Sequence, residues 1–175
     1  MKKRLLIISL LIFTVVAAPS CSSAKTEAKI PQSIISGFNC DMTVSYNGMS
    51  ISAHMTMPSA GVCVIEITDP APLSGMSLEW SGGKFTLFYM GISVPFDSEI
   101  LPDSGFAEGI VNSLDAAAQE TEFEVLKAGT NYIYSAVGKS GKYSLSFDCE
   151  SGALTGISIP SISMEADVSG FEAMQ

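Results

Sequence analysis

The sequence has few basic residues, and this shortage excludes several classes of protein. Nine lysines and arginines stand against 18 acidic residues among 175, and no arginine follows Arg4. Nucleic acids are bound by clusters of lysine and arginine, so we exclude nucleic acid as a partner. The same shortage disfavours anionic substrates and attachment to anionic lipid through a basic patch.

Residues for metal binding and acid–base catalysis are scarce as well. Histidine occurs once, and Cys40, Cys63 and Cys149 are separated by 23 and 86 residues, which matches no zinc or redox motif. No P-loop, dinucleotide-binding glycine pattern, HExxH or GxSxG motif is present. We therefore expect no metal, no cofactor, no catalytic residues and a protein that is not an enzyme. One disulfide with a leftover thiol and three buried thiols are both compatible with the spacing.

Apolar runs of membrane-spanning length are also lacking. Met1–Arg4 is basic, and the longest apolar run, Leu5–Ala18, has about 14 residues against the roughly 20 that a span needs. A basic start followed by a short apolar run with small residues at its end is typical of a secretory signal peptide. A retained membrane helix is the alternative. We expect residues 1–20 to be a signal peptide and the protein to be extracytoplasmic.

Two cleavage sites compete at the end of this run. Val16-Ala17-Ala18 suits ordinary signal peptidase, whereas Ala18-Pro19-Ser20-Cys21 resembles a bacterial lipobox, whose cysteine becomes diacylated and N-terminal. The polar, small residues that follow suit a flexible tether. We favour lipidation: Cys21 carries the membrane anchor, and residues 21–33 form the lipidated cysteine and tether. The mature chain then has six lysines against 18 acidic residues, a net charge of −12.

Period-two alternation of apolar and polar residues fills most of the remaining chain. Residues 38–46 and 49–57 alternate on either side of Asn47-Gly48, a strong two-residue hairpin signal, and pairing Tyr46 with Met49 puts both apolar faces on one side. Further short strands follow between glycine turns, and Pro95 and Pro102 bracket a stretch predicted as irregular. The pattern predicts a mainly β (α+β) domain over residues 34–175. Its core is a single curved antiparallel sheet or incomplete barrel of about ten strands, joined mostly in sequence order.

One mid-chain segment has the helical period instead. Phe106, Ile110 and Leu114 recur every four residues, which predicts one amphipathic helix of about 15 residues, capped by Asp103 or Ser104. In a curved sheet, such a helix crosses the open side and leaves an apolar cavity beneath it. Methionines are frequent in the first hairpin, where ordinary core filling is the preferred interpretation over an adaptable ligand surface.

His54 and Cys63 are the one pair of residues that could act together in catalysis. If the third strand pairs with Met57 opposite Val62, His54 lies diagonal to Cys63, and a histidine beside a cysteine can activate a thiolate. No third group orients the histidine, so we prefer a surface histidine near a buried cysteine.

The chain resembles the lipoprotein-carrier superfamily of LolA and LolB, with RseB and the mycobacterial LprG-type lipoproteins as relatives. The resemblance lies in "SGGKFTLFYMG" (residues 81–91), the proline loop "DPAPLSGM" before it, the mid-chain helix, and "GKYSLSFDCESGALTGISI" (residues 141–159). Members fold as an incomplete antiparallel barrel whose helices cover an apolar cavity. The buried arginine that holds the lid of LolA carriers has no counterpart after Arg4.

This resemblance implies candidate site residues. By the family's fold, the cavity would be lined by Phe38, Met42, Met55, Phe88, Phe106 and Ile110. Leu73 in the proline loop occupies a position comparable to the exposed loop leucine of LolB-like receptors. The expected function is a membrane-anchored lipoprotein that binds an apolar ligand, a lipid or an acyl chain, in the cavity. The alternative is a protein-interaction or envelope-sensor module with a filled core and an envelope protein as partner.

Overall fold

Local sequence rules account for the first hairpin of the computed structural model, which describes residues 25–27, 30–97 and 105–174. Asn47 and Gly48 both adopt positive φ, as a two-residue turn requires, and the flanking strands pair from Tyr46–Met49 to Phe38–Met57. In the first strand of this hairpin, residues 38–46, the apolar residues are buried and alternate with more exposed polar ones. The predicted register of this hairpin is confirmed.

Twelve strands and two helices make up the described chain, with a short 3₁₀ helix before the last strand. In chain order they are β1 (Lys25–Glu27), α1 (Gln32–Ser36), β2 (Phe38–Tyr46), β3 (Met49–Ser59), β4 (Val62–Asp69), β5 (Ser77–Ser81), β6 (Lys84–Tyr89), β7 (Ile92–Asp97), α2 (Phe106–Gln119), β8 (Glu122–Ala128), β9 (Asn131–Gly138), β10 (Gly141–Asp148), β11 (Leu154–Ile159), the 3₁₀ helix Pro160–Ile162 and β12 (Met164–Ala173). No helix among these is long and apolar enough to cross a membrane.

All twelve strands belong to one open antiparallel sheet, which confirms the predicted fold class. The spatial order is β1-β8-β9-β10-β11-β12-β2-β3-β4-β5-β6-β7, so β1 and β7 are the edges. The last strand pairs with β2 in the middle of the sheet, through Ala166–Val44 and neighbouring pairs. This pairing joins one half of the sheet, formed by β1 and β8–β12, to the other half, formed by β2–β7. No turn signal in the sequence encodes it.

Two predictions about strands are wrong. Pro95 does not end the sheet but lies in β7, where a proline is tolerated because an edge strand leaves one side of its backbone unpaired. β4 pairs with Ser59 opposite Val62, not Met57, because a bulge in β3 between Thr56 and Ser59 carries the strand past Pro58.

The helix α2 packs on one face of the sheet, which we call the inner face. The predicted helix is confirmed and begins at Phe106; Asp103 and Ser104, its predicted caps, lie outside the described residues. Gly109 lets the helix approach closely, since an added Cβ would lie 2.7 Å from Cδ1 of Ile162 and 3.2 Å from Cδ1 of Ile159. The side chains of Ile110, Val111 and Leu114 are fully buried against the sheet.

The packed domain begins upstream of residue 34. Ile30 and Ile34 are buried, α1 begins at Gln32, and Lys25–Glu27 pairs with β8. Within the range predicted as a tether, residues 25–27 thus contribute backbone pairing, and Ile30 contributes apolar burial. Cys21 and residues 1–20 lie outside the described residues.

Candidate ligand pocket

An apolar pocket lies between the N-terminal turn of α2 and the inner face of β5 and β6. We call it the end pocket. Its volume is about 240 Å³, its surface is entirely apolar, and it is lined by Met76, Leu78, Phe85, Leu87 and the segment Gly105–Glu108. Drug-sized ligands occupy roughly 300–1,000 Å³, whereas an apolar cavity of about 150 Å³ accepts benzene. The end pocket thus has room for part of an acyl chain.

Strand pairing explains why these side chains converge. Ser81 pairs with Lys84 across Gly82-Gly83, so Trp80 faces Phe85 and Leu78 faces Leu87 on the same side of the sheet. The Trp80 and Phe85 rings pack with centroids 4.7 Å apart. On the helix side, Phe106 packs near Tyr46, with ring centroids 6.2 Å apart. The pocket floor is therefore held by strand register and its roof by the first turn of α2.

The apolar surface continues past the pocket to the edge of the sheet. Val94 pairs with Leu87 and Ile92 with Tyr89, so both side chains lie on the inner face. Ile92 is 64% exposed and Val94 46% exposed. The inner face is thus packed under the middle of α2 and exposed at β7.

Glu108 is the charged residue at the end pocket. Its side chain is buried; Oε1 accepts a hydrogen bond from Asn112 (3.3 Å) and lies 3.5 Å from Nζ of Lys139. Oε2 has no hydrogen-bond partner among the described residues. Because the pocket surface itself is apolar, Glu108 contributes its methylene groups to the lining while Lys139 balances its charge.

The structure distributes the predicted cavity residues differently from the expectation. Phe38, Met42, Met55 and Ile110 are at most 1% exposed and form part of the packed core, so they do not line the end pocket. Only Phe106 of the predicted set lines it. The centre of the inner face is filled, because the long methionine and phenylalanine side chains occupy the space between sheet and helix.

Phe88, also predicted to line the cavity, is absent from the lining of the end pocket for a simple reason. Successive residues of a strand point to opposite faces, so the inward positions of β6 are Phe85 and Leu87, and Phe88 lies on the outer face, 36% exposed. The sequence contains the signal that would have corrected this. The two-residue Gly82-Gly83 turn fixes the pairing of Trp80 with Phe85, and so identifies the inward residues of β6.

Leu73 is not the exposed apolar residue of its region. It is half-buried and packs against the core, within a loop held by the hydrogen bond from the Tyr89 hydroxyl to the carbonyl of Pro72 (2.9 Å). Met90, in the neighbouring β6–β7 turn, is far more exposed, at 83%. Sequence reasoning missed Met90, because an apolar residue in a turn is not distinguished by any periodic pattern.

His54 and Cys63 do not form a catalytic pair, the alternative that we did not prefer. His54 pairs across the sheet with Glu66 and lies on the outer face, where its Nδ1 is 2.9 Å from Oδ1 of Asp41. Cys63 points inward and is buried. Burial raises the pKa of the Cys63 thiol to about 12, with smaller contributions from Cys40 and Asp115. The two residues face opposite sides of the sheet.

The cysteines form no disulfide within the described chain. Cys40, Cys63 and Cys149 are all free; the first two are buried and the third is half-buried. Burial raises the pKa of Cys40 to about 12, with a smaller contribution from the charge of Asp41. Cys40 and Cys63 behave as small apolar groups of the core.

A second depression lies at the other end of α2. It has a volume of about 310 Å³ and a partly polar lining, formed by Ile30, Gln32, Ile35 and residues 117–121. Of the two, the end pocket is the better candidate for an apolar ligand, because none of its lining surface is polar. No group of histidine, cysteine and acidic residues suited to a metal ion occurs in the described ranges.

Comparison with known proteins gives likenesses of fold. No protein-family model and no curated protein matches the chain. It is similar to the crystal structure of an uncharacterised conserved protein from Thermus thermophilus, with 11% identity, a TM-score of 0.51, and coverage of 82% of this chain and 83% of that one. An open antiparallel sheet with a helix on one face is thus shared with that structure.

Two further structures are similar at lower scores. A LolA superfamily protein from Nitrosomonas europaea has 13% identity and a TM-score of 0.40, over 85% of this chain and 90% of that one. A structure of the CwlD amidase from Clostridioides difficile in complex with the GerS lipoprotein has 14% identity and a TM-score of 0.41, over 71% and 76%.

Proposed function

We propose that this protein is an extracytoplasmic lipoprotein, anchored through Cys21, that binds an apolar ligand in the end pocket and does not catalyse a reaction. The observation that carries the proposal is the wholly apolar pocket of about 240 Å³ that continues onto the exposed inner face of β7. An apolar pocket that opens onto apolar surface suits a lipid or an acyl chain, part of which lies outside the pocket.

The single tryptophan supplies an intrinsic reporter for ligand binding. Trp80 is 7% exposed and packs against Phe85, whose ring lines the end pocket. An acyl chain labelled with bromine, a collisional quencher, would lie close to Trp80 once bound. We expect saturable quenching of Trp80 emission when a bromine-labelled monoacylglycerol is added to the purified full-length protein. Intact mass measurement of the native protein would report any lipid that co-purifies with it.

Three variants localise the ligand. Leu87→Asp places a carboxylate on the pocket wall, and losing the burial of one leucine costs about 1.5 kcal/mol, or roughly tenfold in affinity. Leu87→Met keeps an apolar wall and should bind as the parent does. Val137→Asp introduces the same charge at a position that is 75% exposed and outside the pocket lining, so it should also bind normally. Absence of quenching in the parent, or equal binding by all variants, would contradict the proposal.

Lipidation of Cys21 has its own test. The native protein should carry the mass of a diacylglycerol group on an N-terminal cysteine and should fractionate with membranes. Cys21→Ser should lose that modification. A native protein whose mass fits cleavage after Ala18 and an unmodified Cys21 would refute the anchor while leaving ligand binding to be judged separately.

The filled centre of the inner face favours a second candidate function. With Met42, Met55 and Ile110 fully buried, most of the sheet serves as a rigid scaffold. A protein-interaction module for an envelope protein would use such a scaffold without a ligand. Cross-linking in intact cells that captures one envelope protein, combined with no quenching of Trp80, would support this candidate over ligand binding.

A further inference from the structure

Exposed apolar side chains are concentrated in the β6–β7 hairpin. Ten large apolar side chains are exposed in the described part of the chain, and four of them are Phe88, Met90, Ile92 and Val94. Contiguous exposed apolar surface marks sites of contact with a protein, a ligand or a membrane. The distribution of these four side chains distinguishes among such partners.

The four side chains surround the hairpin instead of sharing one face. Phe88 lies on the outer face, Ile92 and Val94 lie on the inner face, and Met90 occupies the turn between the strands. A protein partner that docks on one face of a sheet edge would leave the opposite side chains in water. A fluid apolar medium would cover both faces and the turn together.

Two segments at this end of the sheet carry no charged side chain. Residues 85–95 contain no charged side chain, and neither do residues 70–78 in the neighbouring loop, although the chain carries 18 acidic residues. The hydrogen bond from the Tyr89 hydroxyl to the carbonyl of Pro72 joins the two segments, which we call the uncharged rim. Acidic groups are repelled by anionic lipid and costly in an apolar phase, so the uncharged rim is the part of this acidic molecule suited to a bilayer.

The uncharged rim also borders the end pocket. Met76 and Leu78 of one segment and Phe85 and Leu87 of the other line the pocket. The aromatic side chains of Phe88 and Tyr89 lie next to the turn, where aromatic residues commonly meet the membrane interface. A lipid could therefore pass between a bilayer and the pocket along the uncharged rim.

We propose that the uncharged rim is a membrane-contact surface, with the β6–β7 turn inserted into the lipid bilayer. The insertion is shallow, on the order of 5–10 Å as for other interfacial elements, because the unpaired backbone groups of the edge strand β7 must stay near water. This inference goes beyond ligand binding, since a protein with an empty pocket could still contact a bilayer in this way.

Depth-dependent fluorescence tests the contact. Tryptophan is introduced by Met90→Trp in one variant and by Ile92→Trp in a second, both at exposed positions, and Val137→Trp on β9 is the control, since Val137 is 75% exposed and outside the uncharged rim. Each full-length protein is reconstituted in vesicles of phosphatidylethanolamine and phosphatidylglycerol, with and without bromine-labelled acyl chains. Subtracting the spectrum of the parent removes the contribution of Trp80.

The expected result is a blue-shifted emission at positions 90 and 92 that is quenched by brominated lipid, and neither change at position 137. Emission at 90 and 92 that matches the control would overturn the proposal. So would a blue shift that occurs without vesicles and grows with protein concentration, because a second copy of the chain would then cover the hairpin. If a soluble bromine-labelled ligand fails to quench Trp80, that outcome counts against the proposed function. The test of membrane contact at positions 90 and 92 is unaffected by it.

Discussion

The surroundings of Met55 show whether the centre of the inner face is an open cavity or a packed core. Its side chain is fully buried and pairs through its strand with Cys40 on one side and Ile65 on the other, both also buried. A side chain that lined an open cavity could be shortened at little cost, whereas one in a packed core cannot, because the neighbouring atoms relax only partly.

We expect Met55→Ala to lower the free energy of unfolding by about 2–5 kcal/mol. Urea denaturation followed by circular dichroism measures the loss. Met49→Ala serves as the matched control, since Met49 is 54% exposed and should change stability by about 0.5 kcal/mol or less. A loss at Met55 as small as that at Met49 would show that the centre of the inner face is not packed.

The buried thiols predict a loss of stability at alkaline pH. Burial raises the pKa of Cys40 and Cys63 from 9.0 to about 12. In the unfolded chain these thiols ionise above pH 9, whereas in the folded chain they remain protonated to about pH 12. Stability is therefore fully present below pH 9 and falls between pH 9 and 12, by up to about 1.4 kcal/mol per pH unit for each thiol.

Urea denaturation on either side of pH 9 tests this dependence. The double variant Cys40→Ala/Cys63→Ala should lose less stability across that range, and the remaining slope would come from groups such as Tyr143, whose pKa burial raises to about 12. Equal slopes in the parent and the double variant would refute the assignment.

His54→Ala should leave the alkylation rate of Cys63 unchanged, because the two side chains lie on opposite faces.

At the scale of elements, a hydrogen bond between α2 and the β3–β4 turn holds the helix across the inner face. Oδ1 of Asp115 accepts a hydrogen bond from the backbone N–H of Gly61 in the β3–β4 turn, at 2.7 Å. The site is partly buried, so the carboxylate replaces water as the partner of that N–H group. This contact lies in the C-terminal half of α2, away from the end pocket, and ties the helix to the half of the sheet that contains the pocket.

We expect Asp115→Ala to destabilise the protein by about 1.5–3 kcal/mol, the usual contribution of a hydrogen bond to a charged group. Asp115→Asn keeps an acceptor oxygen and should lose clearly less. The ratio of the two losses is the informative quantity, because both variants remove the same charge. Equal losses would indicate that the charge of Asp115 matters and the acceptor does not. Thermal denaturation with both variants at one pH provides the comparison.

At the scale of the whole molecule, β12 determines whether the two halves of the sheet form one unit. It pairs with β11 on one side and β2 on the other, and the N–H of Met174 donates to the carbonyl of Gly37. The strand that ends the described chain thus lies in the middle of the sheet. An edge strand at this position in the chain could be removed with much smaller consequences.

We expect truncation before Met164 to abolish cooperative folding, because it exposes the apolar inner face and unpairs β2 and β11 at once. Removal of residues 174 and 175 alone is the control and should leave a cooperative transition with a small loss of stability. Circular dichroism melts of both proteins measure the difference. A cooperative melt after the longer truncation would show that the two halves of the sheet fold independently.

Short-range rules in the sequence were sufficient for several features. Asn47-Gly48 determines its own hairpin, since both residues must adopt positive φ and the pairing of Tyr46 with Met49 follows from the two-residue loop. The four-residue spacing of Phe106, Ile110 and Leu114 likewise determines α2, because the period of burial is the period of the helix. The mainly β class and the helix of about 15 residues were predictable for this reason.

The sequence by itself thus determined the class of the fold, its local hairpins and its one long helix, all of which depend on residues close in the chain. Only the tertiary structure decided the pairing of β12 with β2, the inward position of Leu87 in place of Phe88, and the packed centre of the inner face beside the end pocket. The physical reason is that strand order and side-chain packing are settled by burial across the whole sheet. Whether a methionine fills the core or lines a cavity depends on neighbours that are distant in the chain.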